Sequence, residues 1–451
     1  MTVKEIIREM KLESPYVAAS SREKKDAILA AVREALLAAK EEIFDANRLD
    51  LEAAEKNNVP QQVQKRLKFN EAKLADVCAG IDQLISLEDP VGRTLLKRQM
   101  DEGLILERKS CPIGVIGVIF EARPDALVQI SSLCIKSGNC AILKGGKETT
   151  HTNRALFARI HEAAVKAGMP EHALVLVEAH SEIDELLQCD ENVDLIIPRG
   201  SNRFVQYIMD HTKIPVMGHA DGVCHIYTDG TLDAQEALRI ITDAKTQYPV
   251  ACNAVETLLV KKSCAKEFLP LLKEKMDSVG VRLRAAGEAV SMLQASVQDS
   301  GDAGRNSAGA EAGRPDTVSE VEIISDDDFH REYGDLILAV RLVKDVGEAV
   351  DHINRYGSHH TDSILTTCRE DADYFLQMVD SAGVYLNCST RFADGFRYGF
   401  GAEVGISTSK LHARGPVGLE GLVTYKYLIR GEGQIVGDYA SGARAFHFRD
   451  L

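Results

Sequence analysis

Hydrophobic and polar positions change their spacing near residue 111. Before it, Ser20–Glu23 has the pattern of a helix capping box. Ile28, Val32 and Leu36 then recur on one helical face, so the first hundred residues predict helices. Beyond it, short β-branched runs predict the strands Val115–Phe120, Ala141–Leu143, Ala173–Val177, Val193–Ile197 and Val223–Tyr227. Amphipathic stretches between them predict the helices Ala126–Lys136, Asn153–Ala167, Ser181–Leu187 and Asn202–His211. This alternation predicts right-handed crossovers and a doubly wound parallel sheet.

A second α/β region begins near residue 232. Its predicted helices are Ala234–Lys245, Ala265–Asp277 and Val346–Asn354, and its predicted strands include Thr257–Val260 and Leu336–Val343. Residues 285–320 interrupt the pattern, because no aromatic residue lies between Phe268 and Phe329 and Ser300–Asp316 is mostly Gly, Ala, Ser, Asp and Arg. Such a segment buries too little apolar surface to offset its ordering entropy, so we expect a mobile surface insertion at 285–320.

Composition narrows the class of protein. A length of 451 residues with 45% hydrophobic residues predicts two or three domains. The formal net charge of −15 argues against a nucleic-acid partner, which needs a basic surface. The chain has neither the roughly 18 apolar residues that cross a bilayer nor a signal-peptide core in its first ten residues. We therefore expect a soluble, cytoplasmic protein without a membrane partner.

The ten cysteines do not form a metal-binding pattern. No two of them make a C-x-x-C pair, which a cysteine-based zinc site usually needs, so no metal site is predicted. In a reducing compartment most of them are expected to be small buried hydrophobic residues.

Two short loops are candidate phosphate-binding elements, although the dinucleotide fingerprint G-x-G-x-x-G is missing from the chain. Lys144–Lys147 follows a predicted strand, and Arg199–Ser201 separates a predicted strand from a helix. Doubly wound sheets bind ligands at such strand ends, and a helix N-terminus attracts phosphate. On these motifs alone, ordinary turns with solvated Lys and Arg remain an equal alternative.

Candidate chemistry in the second region centres on Cys252, which precedes the predicted strand Thr257–Val260. A turn there can expose a thiol to a cleft, although a buried structural cysteine is the commoner outcome for this residue type. We interpret His359–His360 as a loop lining a pocket rather than a metal site. Arg391 and Arg397 lie in Gly-rich segments that suit bidentate capture of carboxylate or phosphate, with a solvated surface as the alternative.

Three stretches together resemble the aldehyde dehydrogenase superfamily. Pro112–Ile119 resembles its strand leading to the substrate pocket, and Cys252 stands where its nucleophile stands. Gly383–Cys388 and Gly399–Gly421 resemble its late Asn and Gly-rich loops. The branch that reduces an acyl phosphate is more similar still, through Val118–Pro124, Ile197–Asn202, Pro215–Gly222, Tyr356–Asp362 and Arg391–Gly395.

The resemblance implies an aldehyde dehydrogenase-like α/β fold with two doubly wound Rossmann-like domains and a small β arm. Residues 1–94 and 112–231 are expected to form the cofactor-binding domain, and residues 232–415 the catalytic domain that contains the 285–320 insertion. Residues 95–111 and 422–451 are expected to form the oligomerisation arm and C-terminal segment, which implies a homo-oligomer.

The resemblance also implies a nicotinamide cofactor. NAD-specific relatives place a Glu three residues after the strand-end Lys, whereas this chain has Lys144 followed by Lys147. Replacing a carboxylate by a cation favours a 2′-phosphate, so NADP(H) is expected, with Lys144 at the adenosine ribose and Lys147 at the phosphate. Gly200, Ser201 and Glu332 are the remaining cofactor-binding candidates, and Glu332 resembles the Glu that binds the nicotinamide ribose.

The implied reaction is NADPH-dependent reduction of L-glutamyl 5-phosphate to L-glutamate 5-semialdehyde and phosphate, the second step of proline biosynthesis from glutamate. Cys252 and Asn253 are the expected catalytic residues, through a Cys252 thioester. Val216 stands where hydrolytic relatives carry a general base, so water attack on the thioester is not assisted there. The candidates for the anionic groups of the substrate are Arg123, Arg199, His219, Arg391 and Arg397. Glutamate 5-kinase is implied as a channelling partner.

Two other functions remain open at this point. One is a general or acylating aldehyde dehydrogenase with a different acyl acceptor, which would need no phosphate. The other is a non-catalytic paralogue that binds a nucleotide, although the intact Cys252 motif argues against it.

Overall fold

The computed structural model describes residues 2–179, 181–200, 202–218, 221–294 and 320–451. The chain divides into two compact units. The first comprises Met1–Gly218, Gly399–Ile406 and Leu411–Leu451. The second comprises His219–Tyr398 and Ser407–Lys410.

The first unit opens with helices, as the apolar spacing predicts. The helices of this unit are α1 (Val3–Ala18), α2 (Arg22–Ala38), α3 (Lys40–Lys56), α4 (Gln61–Leu67), α5 (Glu71–Ser86), α6 (Pro124–Ser137), α7 (Thr150–Lys166), α8 (Ser181–Leu187), α9 (Asn202–Asp210) and α14 (Val436–Ala440). Helix α2 begins one residue later than the capping pattern predicts: its N-cap is Ser21, not Ser20, and the Ser21 side chain accepts a hydrogen bond from the Lys24 N–H. Ile28, Val32 and Leu36 are all buried.

A four-stranded parallel sheet forms the centre of the first unit. Its strands are β3 (Val115–Phe120), β4 (Cys140–Lys144), β5 (Leu174–Val177) and β6 (Leu195–Arg199), in the order β5-β4-β3-β6. Every residue of β3 and β4 is buried, as expected for strands covered by helices on both faces. Short 3₁₀ turns lie at Lys147–Thr149, Glu171–Ala173 and Leu419–Leu422.

A separate antiparallel sheet forms the predicted arm. Its strands are β1 (Thr94–Asp101), β2 (Leu104–Pro112), β16 (Val423–Arg430) and β17 (Arg449–Asp450), in the order β16-β2-β1-β17. The C-terminal tail is held by Asp101, which accepts hydrogen bonds from the Tyr439 hydroxyl and the Arg444 guanidinium and contacts the His447 ring.

The second unit contains a seven-stranded parallel sheet in the order β10-β9-β11-β8-β7-β12-β13. The strands are β7 (Cys224–Thr228), β8 (Val255–Lys261), β9 (Arg282–Ala285), β10 (Glu322–Ile323), β11 (Ile337–Val343), β12 (Thr361–Leu365) and β13 (Gly383–Leu386). The helices are α10 (Ala234–Thr246), α11 (Lys262–Ser278), α12 (Val346–Tyr356) and α13 (Arg369–Met378). Residues 288–294 are also helical, and 3₁₀ turns lie at Asp326–His330 and Thr390–Phe392. The short strands β14 (Gly405–Ser407) and β15 (Gly415–Val417) form a separate two-stranded sheet; β15 and the first two residues of β14 belong to the first unit.

The parallel sheets and the arm confirm the predicted fold class, but three predicted boundaries are wrong. The catalytic domain is predicted to run to residue 415, whereas Gly399–Ile406 and the chain from Leu411 onward belong to the first unit. Strand β7 was expected in the cofactor-binding domain at 112–231, whereas it pairs with β8 and β12 in the second sheet, and the second unit already begins after Gly218. The insertion was expected from residue 285, whereas Ala285, Ala289 and Leu293 are buried in the second core. These three apolar residues pack into the core, so the start of the predicted insertion is part of the folded second unit. The remainder, 295–319, lies outside the described residues.

Candidate active site

The carboxyl edge of the first sheet gathers the predicted residues of this unit. Arg123 follows β3, Lys144 ends β4 with Lys147 in the next turn, and Arg199 ends β6 with Gly200 after it. Because β4, β3 and β6 are neighbours in one parallel sheet, their carboxyl ends share an edge. The Glu121 N–H donates to the Arg199 carbonyl, which joins two of these loops. Lys144 and Arg199 thus end parallel strands, as the strand pattern predicts.

Lys144 is a buried cation at this edge. Its ammonium is largely buried and donates to the Gly145 carbonyl at 2.7 Å. Burial lowers the pKa of Lys144, while the carboxylates of Glu182, Glu148 and Glu178 oppose that shift. Lys147 is exposed. A cation partly removed from water beside an exposed second cation suits the ribose and phosphate groups of a nucleotide.

The loops at this edge approach one another closely. A Cβ added at Gly200 would lie 2.7 Å from Glu121 Oε2, and one added at Gly146 would lie 3.1 Å from the Ala122 backbone nitrogen. Ala122 itself has a φ of 47°, which is unusual for a residue with a side chain. A side chain at residue 146 or 200 would therefore have to displace a glutamate side chain, and at residue 146 it would also press on the backbone of the turn after β3.

The two predicted arginines of this edge have different surroundings. Arg123 precedes α6 and lies 3.5 Å from the Asp125 carboxylate, and about half of its side chain is exposed. Arg199 donates through Nη1 to the Glu403 carbonyl at 3.3 Å. Arg123 is therefore the more accessible of the two guanidinium groups.

In the second unit, Cys252 lies in the turn between α10 and β8. It is partly exposed, whereas Asn253 and Ala254 after it are buried. The Ala254 N–H donates to the Ala251 carbonyl at 2.8 Å, which closes this turn. The site therefore lies at the amino edge of the second sheet, just before the first residue of β8.

The neighbouring strand β7 packs tightly against this turn. Gly222 precedes β7, and a Cβ added there would overlap the Cys252 carbonyl oxygen and Cα and lie 2.6 Å from its Cβ. The buried Cys224 thiol donates to the Cys252 carbonyl at 3.3 Å. Burial raises the pKa of Cys224, so this thiol remains protonated as a donor. The two cysteines thus have different roles, since Cys224 supports the backbone of the accessible Cys252.

His360, which the sequence predicts to line a pocket, directly contacts the Cys252 thiol. His360 Nε2 lies 3.2 Å from Cys252 Sγ. The ring is buried, and its other nitrogen, Nδ1, lies 2.9 Å from Thr361 Oγ1. His359 points elsewhere, with Nδ1 at 2.6 Å from the Asp380 carbonyl. Only the second residue of the His359–His360 pair therefore belongs to the thiol site.

The loop after β13 brings the predicted arginines to the same side of this unit. Asn253 Nδ2 donates to the Ala393 carbonyl at 2.8 Å, and the Thr390 hydroxyl donates to the Asn253 carbonyl at 2.7 Å. Arg391 is largely buried and donates through Nε to Gln247. Its own carbonyl accepts a hydrogen bond from Arg397 Nη1 at 2.6 Å. Asn253 therefore anchors the loop that holds both arginines.

Burial and neighbouring charges perturb the Arg391 guanidinium. Burial lowers the pKa of Arg391, the neighbouring Arg397 lowers it further, and Cys252 opposes the shift. A guanidinium that is removed from water and close to the nucleophile attracts an anion bound there more strongly than a solvated one would.

Glu332 lies in the loop before β11, part-buried. Two residues further on, the Gly334 N–H donates to Glu256 on β8, which also forms a buried ion pair with Lys245 at 2.8 Å. Burial raises the pKa of Glu256 to about 7. The loop of Glu332 is therefore fixed to the strand that follows Cys252.

Three predicted positions need separate mention. Ser201 and His219 lie outside the described residues. Val216 is half-buried against the first core, and its segment bridges β6 in parallel at Ile196.

In the part of the chain that the structure describes, no group of three His, Cys, Asp or Glu side chains is arranged to hold a metal ion. Nor does any helix there combine the length and apolar character needed to span a membrane.

Known proteins are similar to this chain in both sequence and fold. The model of the aldehyde dehydrogenase family matches residues 1–292. The γ-glutamyl phosphate reductase of Pelotomaculum thermopropionicum is 51% identical over 451 residues, which covers 100% of this chain and 98% of that protein. The crystal structure of γ-glutamyl phosphate reductase from Thermotoga maritima superposes with a TM-score of 0.88 at 35% identity and covers 96% of this chain and 100% of that one.

The chain therefore belongs to the aldehyde dehydrogenase family. A second relative, from Ruminiclostridium cellulolyticum, is also named γ-glutamyl phosphate reductase. It is 49% identical over 446 residues, which covers 99% of this chain and 97% of that protein. These findings confirm the resemblance stated from the sequence motifs.

Sequence reasoning missed the direct contacts of His360 and Gly222 with Cys252. Each lies just before a strand, β12 and β7 respectively, and Cys252 lies shortly before β8. Neighbouring parallel strands bring such positions together, and β8, β7 and β12 are neighbours in the sheet. The sequence does show that all three residues lie just before strands. That position indicates a contact between them only when the order of the strands in the sheet is known.

Proposed function

We propose that the chain catalyses NADPH-dependent reduction of L-glutamyl 5-phosphate to L-glutamate 5-semialdehyde and phosphate, the second step of proline biosynthesis from glutamate. The observation that carries this proposal is the partly exposed Cys252 thiol, 3.2 Å from His360, in a chain about half identical over its full length to γ-glutamyl phosphate reductases.

The proposed chemistry begins with acyl transfer to sulfur. The Cys252 thiolate attacks the acyl carbon, a C–S bond forms, and the bond from that carbon to the phosphate oxygen breaks with its electron pair leaving on phosphate. The backbone N–H groups of Cys252 and Asn253 are proposed to stabilise the oxyanion of this step. The buried Asn253 side chain keeps the turn in place through its bond to Ala393.

A nicotinamide cofactor belongs to the proposed reaction, and the first unit has suitable donors for it. Lys144 at the end of β4 would hold the adenosine ribose, Lys147 the 2′-phosphate of NADPH, and Gly200 with Ser201 the turn toward the pyrophosphate. Glu332 is proposed for the nicotinamide ribose. When bound, the cofactor supplies a hydride to the thioester carbonyl.

The absence of a general base at residue 216 supports release by phosphate exchange rather than by hydrolysis. Val216 has no proton-accepting group and packs half-buried against the first core. A thioester that water attacks slowly survives long enough to accept hydride or, in the reverse direction, to react with phosphate. Aldehyde oxidation by this chain should therefore depend on phosphate.

The anionic groups of the substrate are proposed to bind to arginines. Buried Arg391 is the strongest candidate, because its charge is poorly solvated and electrostatically coupled to Cys252. Arg397 supports the Arg391 backbone and adds positive charge. Arg123, Arg199 and His219 are proposed as further contacts for carboxylate or phosphate.

Assembly and location complete the proposal. The outer arm strand β16 exposes Tyr425, Tyr427 and Ile429, which supports a homo-oligomer formed through the arm. Glutamate 5-kinase is proposed as the channelling partner, since direct transfer would protect a labile acyl phosphate from water. The ten cysteines, all within the described residues, form no disulfide bond with one another, which suits a reducing cytoplasm.

The test is a comparison of initial rates of glutamate 5-semialdehyde oxidation with and without inorganic phosphate, using NADP or NAD. The proposal predicts a rate that requires phosphate and is higher with NADP. Equal rates without phosphate would support a general aldehyde dehydrogenase. A phosphate-independent rate that depends on another acyl acceptor would support the acylating alternative, and no turnover with any acceptor would support the non-catalytic one.

A further inference from the structure

The strongest unassigned feature is the contact between His360 and the thiol. His360 Nε2 lies 3.2 Å from Cys252 Sγ, although the two residues are 108 positions apart in sequence. His360 is 1% exposed, so its ring is held by protein rather than by solvent. Histidine exchanges protons near neutral pH, and a thiol becomes nucleophilic only after it loses its proton.

The position of the ring is fixed by the start of strand β12. The Gly383 N–H donates to the His360 carbonyl at 3.0 Å, where β13 begins beside β12. Thr361 Oγ1, at 2.9 Å from His360 Nδ1, can accept a hydrogen bond from an Nδ1–H group. In that tautomer the lone pair of Nε2 faces Cys252 Sγ, which is the arrangement needed to receive the thiol proton.

We propose that His360 is the catalytic base for Cys252. This inference rests on the acyl-transfer step of the proposed function and adds the group that moves its proton. The proton of Cys252 passes to His360 Nε2, and the sulfur electron pair forms the bond to the acyl carbon. The phosphate leaves with the electron pair of the broken C–O bond and takes the proton from His360. The step is thus balanced without any further reactant.

A histidine against the sulfur activates the nucleophile itself rather than a water molecule. Thr361 is a positioning residue in this scheme, because it acts on the sulfur only through the orientation of the His360 ring.

The test measures the reactivity of the Cys252 thiol itself, without substrate or cofactor. The rate of alkylation by iodoacetamide is followed for the peptide that contains Cys252 by mass spectrometry, between about pH 6 and pH 10. His360→Gln keeps a polar group near the sulfur but cannot take up a proton. We expect its alkylation rate to fall at least roughly tenfold near pH 7 and to approach the wild-type rate at high pH, where a free thiol ionises unaided.

The adjacent histidine offers a matched control. His359→Asn removes a histidine one residue away, and asparagine tolerates the φ of 60° at this position. This variant should keep the wild-type alkylation profile. Thr361→Val, which removes only the hydroxyl, should lower the rate near pH 7 by a smaller factor, and it tests the inference independently if His360→Gln fails to fold.

Two results would overturn the inference. One is an unchanged alkylation rate near pH 7 in His360→Gln and Thr361→Val. The other is a reduction by the same factor at every pH, which would indicate displacement of the thiol rather than loss of a base. Failure of the proposed function is distinguishable from both. It would appear as phosphate-dependent activity that Cys252→Ala retains, while the alkylation of Cys252 in the enzyme with an intact thiol still depended on His360.

Discussion

The two parallel sheets place their candidate functional residues at opposite kinds of edge. In the first unit the candidates follow the carboxyl ends of β3, β4 and β6. In the second unit Gly222, Cys252 and His360 precede the amino ends of β7, β8 and β12. The first edge has cations and close glycine turns, which suit a phosphate-bearing ligand. The second has a thiol, a histidine and a buried arginine, which suit covalent chemistry.

The two edges differ in how tightly their functional residues are packed. At the first edge Lys147 and Arg123 extend into solvent, so changes there should alter binding more than architecture. At the second edge Gly222 and Cys224 pack directly against the Cys252 backbone. Small changes of volume there should move the reacting atom. The following predictions test this contrast in order of decreasing effect.

The largest effect is expected for Gly222→Ala. The added methyl group would overlap the Cys252 backbone and lie 2.6 Å from its Cβ, so the turn must shift. Displacement of a nucleophile by about 1 Å can cost roughly 100-fold in rate, and we expect a loss of at least that size in kcat. Steady-state kinetics checks this prediction.

Gly80→Ala is the control for that variant. A Cβ at residue 80, on α5, meets nothing within 4 Å, so this variant should keep full activity. Near wild-type kcat in Gly222→Ala would contradict the account of a tightly packed second edge.

An intermediate effect is expected for Lys147→Glu at the first edge. The change replaces an exposed cation by a carboxylate where a 2′-phosphate is proposed to bind. We expect the ratio of kcat/KM for NADP over NAD to fall by about tenfold or more, mainly through KM, with little change in stability. Lys166→Glu, on exposed α7 surface, makes the same change in net charge and should leave the ratio unaltered. An unaltered ratio in Lys147→Glu would remove this residue from the cofactor site.

The smallest effect concerns the stability of the second unit. His352 on α12 is buried against His225 and Phe329, and burial lowers its pKa to about 2. Since the unfolded chain takes up a proton near pH 6.5 that the folded chain does not, this histidine's contribution to stability is present above that pH and is lost as pH falls. The wild type should lose about 2 kcal/mol of unfolding free energy from this group between roughly pH 7 and pH 5.

His352→Phe should remove this pH dependence, as measured by urea unfolding at each pH. His211→Phe changes an exposed histidine of the first unit and should leave the dependence as in wild type. Equal slopes in wild type and His352→Phe would contradict a buried neutral histidine at this position.

Most of the first sheet and its edge could be predicted from sequence, because each feature there is local. Fully apolar runs define β3 and β4, and Lys144 directly ends its strand, so the functional position follows from the strand boundary. The rule that ligands bind at carboxyl ends then applies without knowledge of strand order. Cys252 was identified by its resemblance to a family motif and not by periodicity.

The second edge could not be predicted in the same way, because its contacts depend on strand order. Strand β7 lies next to first-unit elements in sequence, yet it pairs between β8 and β12 in the second sheet. The contact of His360 with Cys252 follows from that arrangement and from the 108 residues that separate them. The burial of Ala289 and Leu293 likewise depends on the second core, whose packing the local sequence does not reveal.

The central claim is that Cys252 carries the acyl group between phosphate and hydride transfer. The most direct test incubates the enzyme with glutamate 5-semialdehyde and NADP in the absence of phosphate. The account predicts a burst of about one NADPH per active site, a glutamyl group on the Cys252 peptide by mass spectrometry, and its release when phosphate is added. Steady turnover without phosphate, or an unmodified Cys252 after the burst, would contradict it.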